Sequence, residues 1–225
     1  MPPASWSKAN RASVQLIVIH TTEGSAHDVS AEDGAAYDQR RTDGTSTHYF
    51  HDSDSTVQCV RTEDIAYAAR TQGNKRGIQH ELCGKAGWSA STWAGEYAQN
   101  ALRRMAKQSA RDAKKWGIPV RHLTVSEVAS DEKGFCSHYD VTRAFPQDNG
   151  THTDPGPNFP WSQFLDMVRD ELEGDMTPEE FLAYDPGTDD GIPNPFGDKA
   201  TNETISPKTA FYNSVLIPMR IESAV

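Results

Sequence analysis

Residues 14–19 are apolar and rich in β-branched side chains, the pattern of a central strand buried on both faces, and the run stops at His20. A side chain at the end of such a strand sits on a stiff support. From Ser30, with Asp33 three positions on, the pattern predicts a capped helix reaching about Thr42, before Gly44 and Ser46 turn the chain. Residues 47–60 predict a hairpin with Asp52-Ser53-Asp54-Ser55 at its turn, and residues 77–82 a short strand carrying Glu81. The longest periodic segment is 92–116. There Trp93, Tyr97, Ala101, Met105 and Trp116 fall near one helical face, Arg103, Arg104, Lys107 and Lys114 fall mostly elsewhere, and Gly117 with Pro119 ends the helix. Pro160 opens a last helix to Leu172, striped by Trp161, Phe164, Leu165, Val168 and Leu172. Strands interspersed with helices predict an α/β domain.

After Gly174 the pattern is lost. Residues 175–225 hold nine acids against three bases, more than half of the formal charge of −10, and before about Ala210 they have too few apolar side chains to offset the entropy of ordering. We read residues 1–174 as the domain and 175–225 as an acidic, largely irregular linker or tail; residues 211–221 are apolar enough to dock but fit neither period. A length of 225 residues accommodates one domain of about 150 to 200 residues with a real core, plus this appendage. No basic stripe invites nucleic acid, no run approaches the roughly 20 apolar residues of a membrane span, and residues 1–13 lack the basic and apolar regions of an export signal. Cys59, Cys83 and Cys136 form no C-x-x-C pair and cannot all pair with one another, so they predict thiols in a reducing compartment.

Three separated segments carry the chemistry: Ile17-Val18-Ile19-His20, Cys136-Ser137-His138-Tyr139-Asp140, and His152-Thr153-Asp154-Pro155-Gly156-Pro157. Together they suggest a catalytic zinc site. Two imidazoles and one carboxylate leave a fourth tetrahedral position open to solvent, which separates a hydrolytic centre from a closed structural one. A second Asp-Pro-Gly at residues 185–187 has no histidine nearby and reads as a turn, so the tripeptide alone means little; His152 before it and a rigid turn into a helix after it distinguish Asp154. His152 in place of Asp154 as third ligand, and Cys136 with His138 as a nucleophile and base, remain open alternatives at this level.

The order of His20 after an apolar strand, Thr47-His48-Tyr49, Glu81-Leu82-Cys83-Gly84, Gly134-Phe135-Cys136-Ser137-His138-Tyr139-Asp140-Val141 and Asp154-Pro155-Gly156-Pro157 resembles the type 2 N-acetylmuramoyl-L-alanine amidases. That family includes phage endolysins and shares its fold with peptidoglycan recognition proteins. The resemblance covers about residues 12–172. It implies a mixed central sheet flanked by helices, with one Zn²⁺ held by His20, His138 and Asp154 in a groove. It also implies Glu81 as catalytic base and His152 where many members use a lysine to stabilise developing negative charge. The implied substrate is peptidoglycan, cut between N-acetylmuramic acid and L-alanine by a monomer. With no export signal seen, the expectation is an endolysin made in the host cytoplasm that acts on the wall after release.

The chain departs from the family at several points. Gln79 and His80 stand where glycine and an aliphatic residue usually precede the glutamate; Ser55 replaces a hairpin glycine, Ala68 a common histidine, and Thr47 a tyrosine of some branches. His48 and Tyr49 read as groove lining or as supports for the ligands, and His27, His51 and His122 as ordinary polar groups. His80 should face away from Glu81 on a regular strand. Trp88 and Trp93 offer either a sugar-stacking surface or core. A peptidoglycan-binding module without hydrolysis and a zinc peptidase cutting within the stem peptide are the rival readings.

Overall fold

A computed structural model describes residues 3–148 and 150–174. The tail reading for residues 175–225, with the 211–221 segment and the second Asp-Pro-Gly, lies outside the described residues. Five strands, β1 (Leu16–Thr21), β2 (Tyr49–His51), β3 (Thr56–Gln58), β4 (Gly77–Leu82) and β5 (Gly134–Ser137), form one sheet in the order β3-β2-β4-β1-β5. β1 runs parallel to β4 and β5, β4 is parallel to β2, and the β2–β3 hairpin supplies the antiparallel edge. The helices are α1 (Ser30–Asp38), α2 (Arg70–Arg76), α3 (Ala90–Trp93), α4 (Glu96–Trp116), α5 (Val125–Ala129), α6 (His138–Ala144) and α7 (Trp161–Gly174).

Every residue of β1 is buried, as its apolar run requires of a strand covered on both faces. Ile17 and Ile19 pack with Ile78, Leu82, Trp93, Leu102, Met105, Phe135, Phe164 and Val168 beneath α4 and α7. On the other face Leu16 and Val18 pack with Ala69, Leu123, Val128, Cys136 and Val141 beneath α2, α5 and α6. Fully burying a leucine such as Leu102 contributes about 1.5–3 kcal/mol, and cutting it to alanine should cost about 2–5 kcal/mol. Trp93 is 1% exposed and belongs to this core, with Trp88 edge-on against it. The packing reading of that pair therefore prevails over sugar stacking.

Three boundaries differ from the sequence pattern. α1 stops at Asp38 rather than near Thr42, because the Asp38 carboxylate turns inward to accept Thr47 N–H (3.2 Å) and Arg41 Nη1 (3.2 Å) while Arg40 and Arg41 N–H close on Tyr37 O. Ser30 does not cap α1 either. Val29 occupies the cap position at φ 69°, and the Ala31 N–H is met from a distance by Asp52 Oδ2 (2.9 Å), whose Oδ1 also holds the hairpin turn through Asp54 and Ser55 N–H. The long helix is divided at Ala94-Gly95, with Ser89 capping the short α3 through Thr92 N–H (3.1 Å).

Candidate metal centre

Strand register brings His20, Glu81 and the start of α6 together. His20 lies opposite Glu81 across β1 and β4, and β5 ends at Ser137 beside Ile19, so His138 opens α6 at the same end of the sheet. The carboxyl ends of parallel strands are where open α/β sheets gather ligands. Alternation along β4 sends Gln79 and Glu81 to the His20 face, and Ile78, His80 and Leu82 toward α4. Ser137 and Asp140 form a capping box that fixes the start of α6, Ser137 Oγ accepting Asp140 N–H (2.9 Å) and Asp140 Oδ2 accepting Ser137 N–H (2.8 Å). The turn carrying Asp154 is tied to α6 by Tyr139 N–H donating to Asp154 O (3.1 Å). It also needs Gly156, at φ +91°: a Cβ there would lie 1.9 Å from Ala86 O.

His20 Nδ1 is 3.1 Å from Asp154 Oδ2 and 3.9 Å from Glu81 Oε1, while His138 Nδ1 is 3.3 Å from Asp154 Oδ1. Ligand atoms of His20, His138 and Asp154 all lie within 4.8 Å of one another, the one such group of three His, Cys or acidic residues among the described residues. Asp154, not His152, completes it. His152 stacks instead on His138, with ring centroids 3.8 Å apart, and its Nδ1 is 3.9 Å from Asp154 Oδ1.

The chemistry of this donor set fits a divalent ion such as zinc. Two imidazoles and a carboxylate are its usual hydrolytic ligands, and one ligand atom from each of the three lies within 4.8 Å of the others. Two buried atoms beside them, His138 Nε2 and Glu81 Oε2, have no hydrogen-bond partner.

Burial lowers the proton affinity of His20, but the charge of Glu81 and the hydrogen-bonded Asp154 outweigh it and raise the pKa to about 9. Asp154 shows the reverse balance: burial favours its neutral form, yet the hydrogen bonds from His138 and His20 hold it well below the carboxylate range. Burial pushes Glu81 up to about 7, against the pull of His20. Burial also depresses His138 to about 4 and shifts His152 downward.

These residues line a groove of about 710 Å³, whose walls also include Thr22, Asp33, Tyr37, Arg41 and Thr47. Tyr37 is exposed, and its ring is backed by the Arg41 guanidinium at 5.0 Å. Neither residue was singled out by the sequence pattern, where both sit in an unremarkable polar helix. His48 and Tyr49 do not line the groove. His48 supports β4 from behind by accepting Gln79 N–H (3.0 Å), and Tyr49 joins the α4 core. Cys136 is fully buried in the apolar cluster on β5, where burial pushes its thiol well above the usual range. His138 begins a helix rather than continuing that strand, so the cysteine–histidine alternative falls. All three cysteines are free.

A family model described as N-acetylmuramoyl-L-alanine amidase matches residues 10–157. No curated protein sequence matches the chain significantly. Among solved structures, the fold is similar to that of the Staphylococcus aureus hydrolase AmiA in complex with its ligand (TM-score 0.58, 18% identity, covering 76% of this chain and 82% of that one). It is also similar to a selenomethionine derivative of AmpD (0.52, 16%, 75% and 92%) and to the N-acetylmuramoyl-L-alanine amidase LysC from Clostridium intestinale (0.50, 15%, 75% and 93%).

Proposed function

The chain belongs to the N-acetylmuramoyl-L-alanine amidase family, and we propose that it hydrolyses the amide between N-acetylmuramic acid and L-alanine of peptidoglycan with one zinc ion held by His20, His138 and Asp154. The observation that carries this reading is the convergence of two imidazoles and a carboxylate, from three distant segments, in the wall of one groove. Zinc, when bound, supplies Lewis acidity toward a carbonyl and lowers the pKa of water.

The other steps belong to the chain. Glu81, which lines the groove with Oε1 3.9 Å from His20 Nδ1, accepts the proton of the attacking water and passes it to the leaving amine of L-alanine. His152, stacked on His138 and with a side chain 40% exposed to the groove, donates a hydrogen bond to the oxygen on which negative charge develops. With its pKa lowered it does so mainly as a neutral imidazole. One chain supplies all five side chains, so the proposed reaction needs no residue from a second copy. We read residues 1–174 as the catalytic domain and the acidic 175–225 segment as an accessory to it.

Zinc stoichiometry together with muropeptide product analysis tests the chemistry. Wild type should hold one zinc per chain and release stem peptides with N-terminal alanine and no new reducing sugars, and His20→Ala should do neither. Cleavage between amino acids of the stem would instead identify a peptidase, and binding without product a recognition module. The endolysin role is tested apart from the reaction: the protein, co-expressed with a holin, should lyse the host from within, and lysis equal to that by the holin alone would remove that role.

A further inference from the structure

We propose that Gln79 is a positioning residue for the metal centre: its side-chain carbonyl takes the Nε2–H of His20 and so presents Nδ1 of that ring to the metal. The inference rests on the zinc reading of the site and adds a residue that stands where the family usually has glycine.

The hydrogen-bond pattern fixes the orientation. Gln79 Oε1 lies 3.0 Å from His20 Nε2, and Gln79 Nε2 donates to Gly73 O at 2.9 Å. Reversing the amide would set its oxygen against the Gly73 carbonyl, which can only accept. The His20 Nε2 therefore carries hydrogen, and Nδ1, aimed at Asp154 and Glu81, is the nitrogen that would coordinate once a metal displaces its own proton.

Gln79 is itself held at every polar atom. Its backbone N–H donates to His48 Nδ1 (3.0 Å), its backbone carbonyl accepts Thr47 Oγ1 (3.0 Å), and the residue is fully buried. Gly77 keeps the space open, since a Cβ there would lie 2.9 Å from Gln79 Nε2 and 2.7 Å from Gly73 O. A polar side chain so enclosed costs stability unless each bond is made, and here all of them converge on orienting one ring.

The test compares the full chain as wild type, Gln79→Leu and Gln79→Glu, measuring the zinc dissociation constant by competition with a chromogenic chelator and the Tm without metal. Gln79→Leu should weaken zinc by about 10- to 100-fold, the usual loss when a partner of a ligand histidine is removed. Gln79→Glu keeps the acceptor but opposes the Gly73 carbonyl, so it should lower the Tm while holding zinc within about threefold of wild type. Affinity would then follow the acceptor and not the stability. Equal zinc affinity in wild type and Gln79→Leu, or loss of affinity in both variants in step with their Tm, would overturn the proposal alone. Absence of zinc binding by wild type would overturn the metal centre along with it.

Discussion

Two clusters of buried histidine and carboxylate sit at opposite faces of the same sheet and differ in one respect. On the groove face, His20, His138 and Asp154 aim their polar atoms at a common point, with Glu81 beside them and cavity in front. On the α4 face, His51 Nδ1 meets Thr56 Oγ1 (3.0 Å), His51 Nε2 meets His80 Nδ1 (3.0 Å), and His80 Nε2 reaches to 3.4 Å from Asp112 Oδ2. Tyr49 and Gln108 close that cluster around Asp112. The second set is a chain, each atom facing a different neighbour, so it has no point at which one ion would touch three ligands. Burial of imidazoles beside an acid is common to both. Convergence and access are what separate a reactive centre from a satisfied core.

The largest expected contrast is between Asp154→Ala and His80→Ala. The first removes the residue that bridges both imidazoles, and should abolish zinc retention and bring amide hydrolysis to background. The second should keep zinc and activity per folded molecule while lowering stability; metal analysis alongside muropeptide chromatography reads both. Glu81→Gln should retain zinc yet lose about 10²- to 10⁴-fold in kcat, as expected of a proton acceptor, and a loss of less than tenfold would assign that role elsewhere.

Two buried histidines outside the groove, His48 and His51, sharpen the comparison through pH. Burial, aided by Arg11, lowers the His48 pKa to about 3, and burial with His80 lowers His51 well below its ordinary value. In the unfolded chain both titrate near pH 6.5, so between about pH 3 and 6.5 the unfolded state binds more protons. The contribution of these two histidines is full above about pH 6.5 and is lost as pH falls through that window, while the raised pKa values of Glu81 and His20 favour the folded state toward lower pH and oppose it in part. Urea midpoints at pH 7.5 and pH 5.0 check this: His48→Asn should lose less stability than wild type between the two, and an equal loss in both would refute it. The smallest effect on catalysis is expected from Cys136→Ser, which should leave kcat within a few-fold of wild type and cost about 1–3 kcal/mol for burying a hydroxyl in an apolar cluster.

The parts of the molecule that bury an apolar pattern were the legible ones. β1, β4, the hairpin and the long helices announce themselves because their periodicity is what the core requires. α2 does not, since its residues Arg70–Arg76 carry no apolar stripe. That helix is held by Asn74 Oδ1 accepting Ala68 and Ala69 N–H and by Arg11 donating to carbonyls at its far end, contacts invisible to a local pattern. Likewise Asp52 caps α1 from 21 residues away, which no scan for a local cap would find. At the site, ordered motifs pointed to the three residues that converge, but the work of Gln79 depends on a backbone carbonyl at Gly73 and a ring on another strand. The signal that would have found it is a polar residue two positions before Glu81 on the inward face of a buried strand.

Anomalous diffraction at the zinc edge, from crystals of the full chain grown with zinc, tests the central claim most directly. The account predicts one peak within about 2.0–2.2 Å of a nitrogen from each of His20 and His138 and an oxygen of Asp154. A peak held by the His51, His80 and Asp112 cluster or by a cysteine, with none at His20, would contradict it.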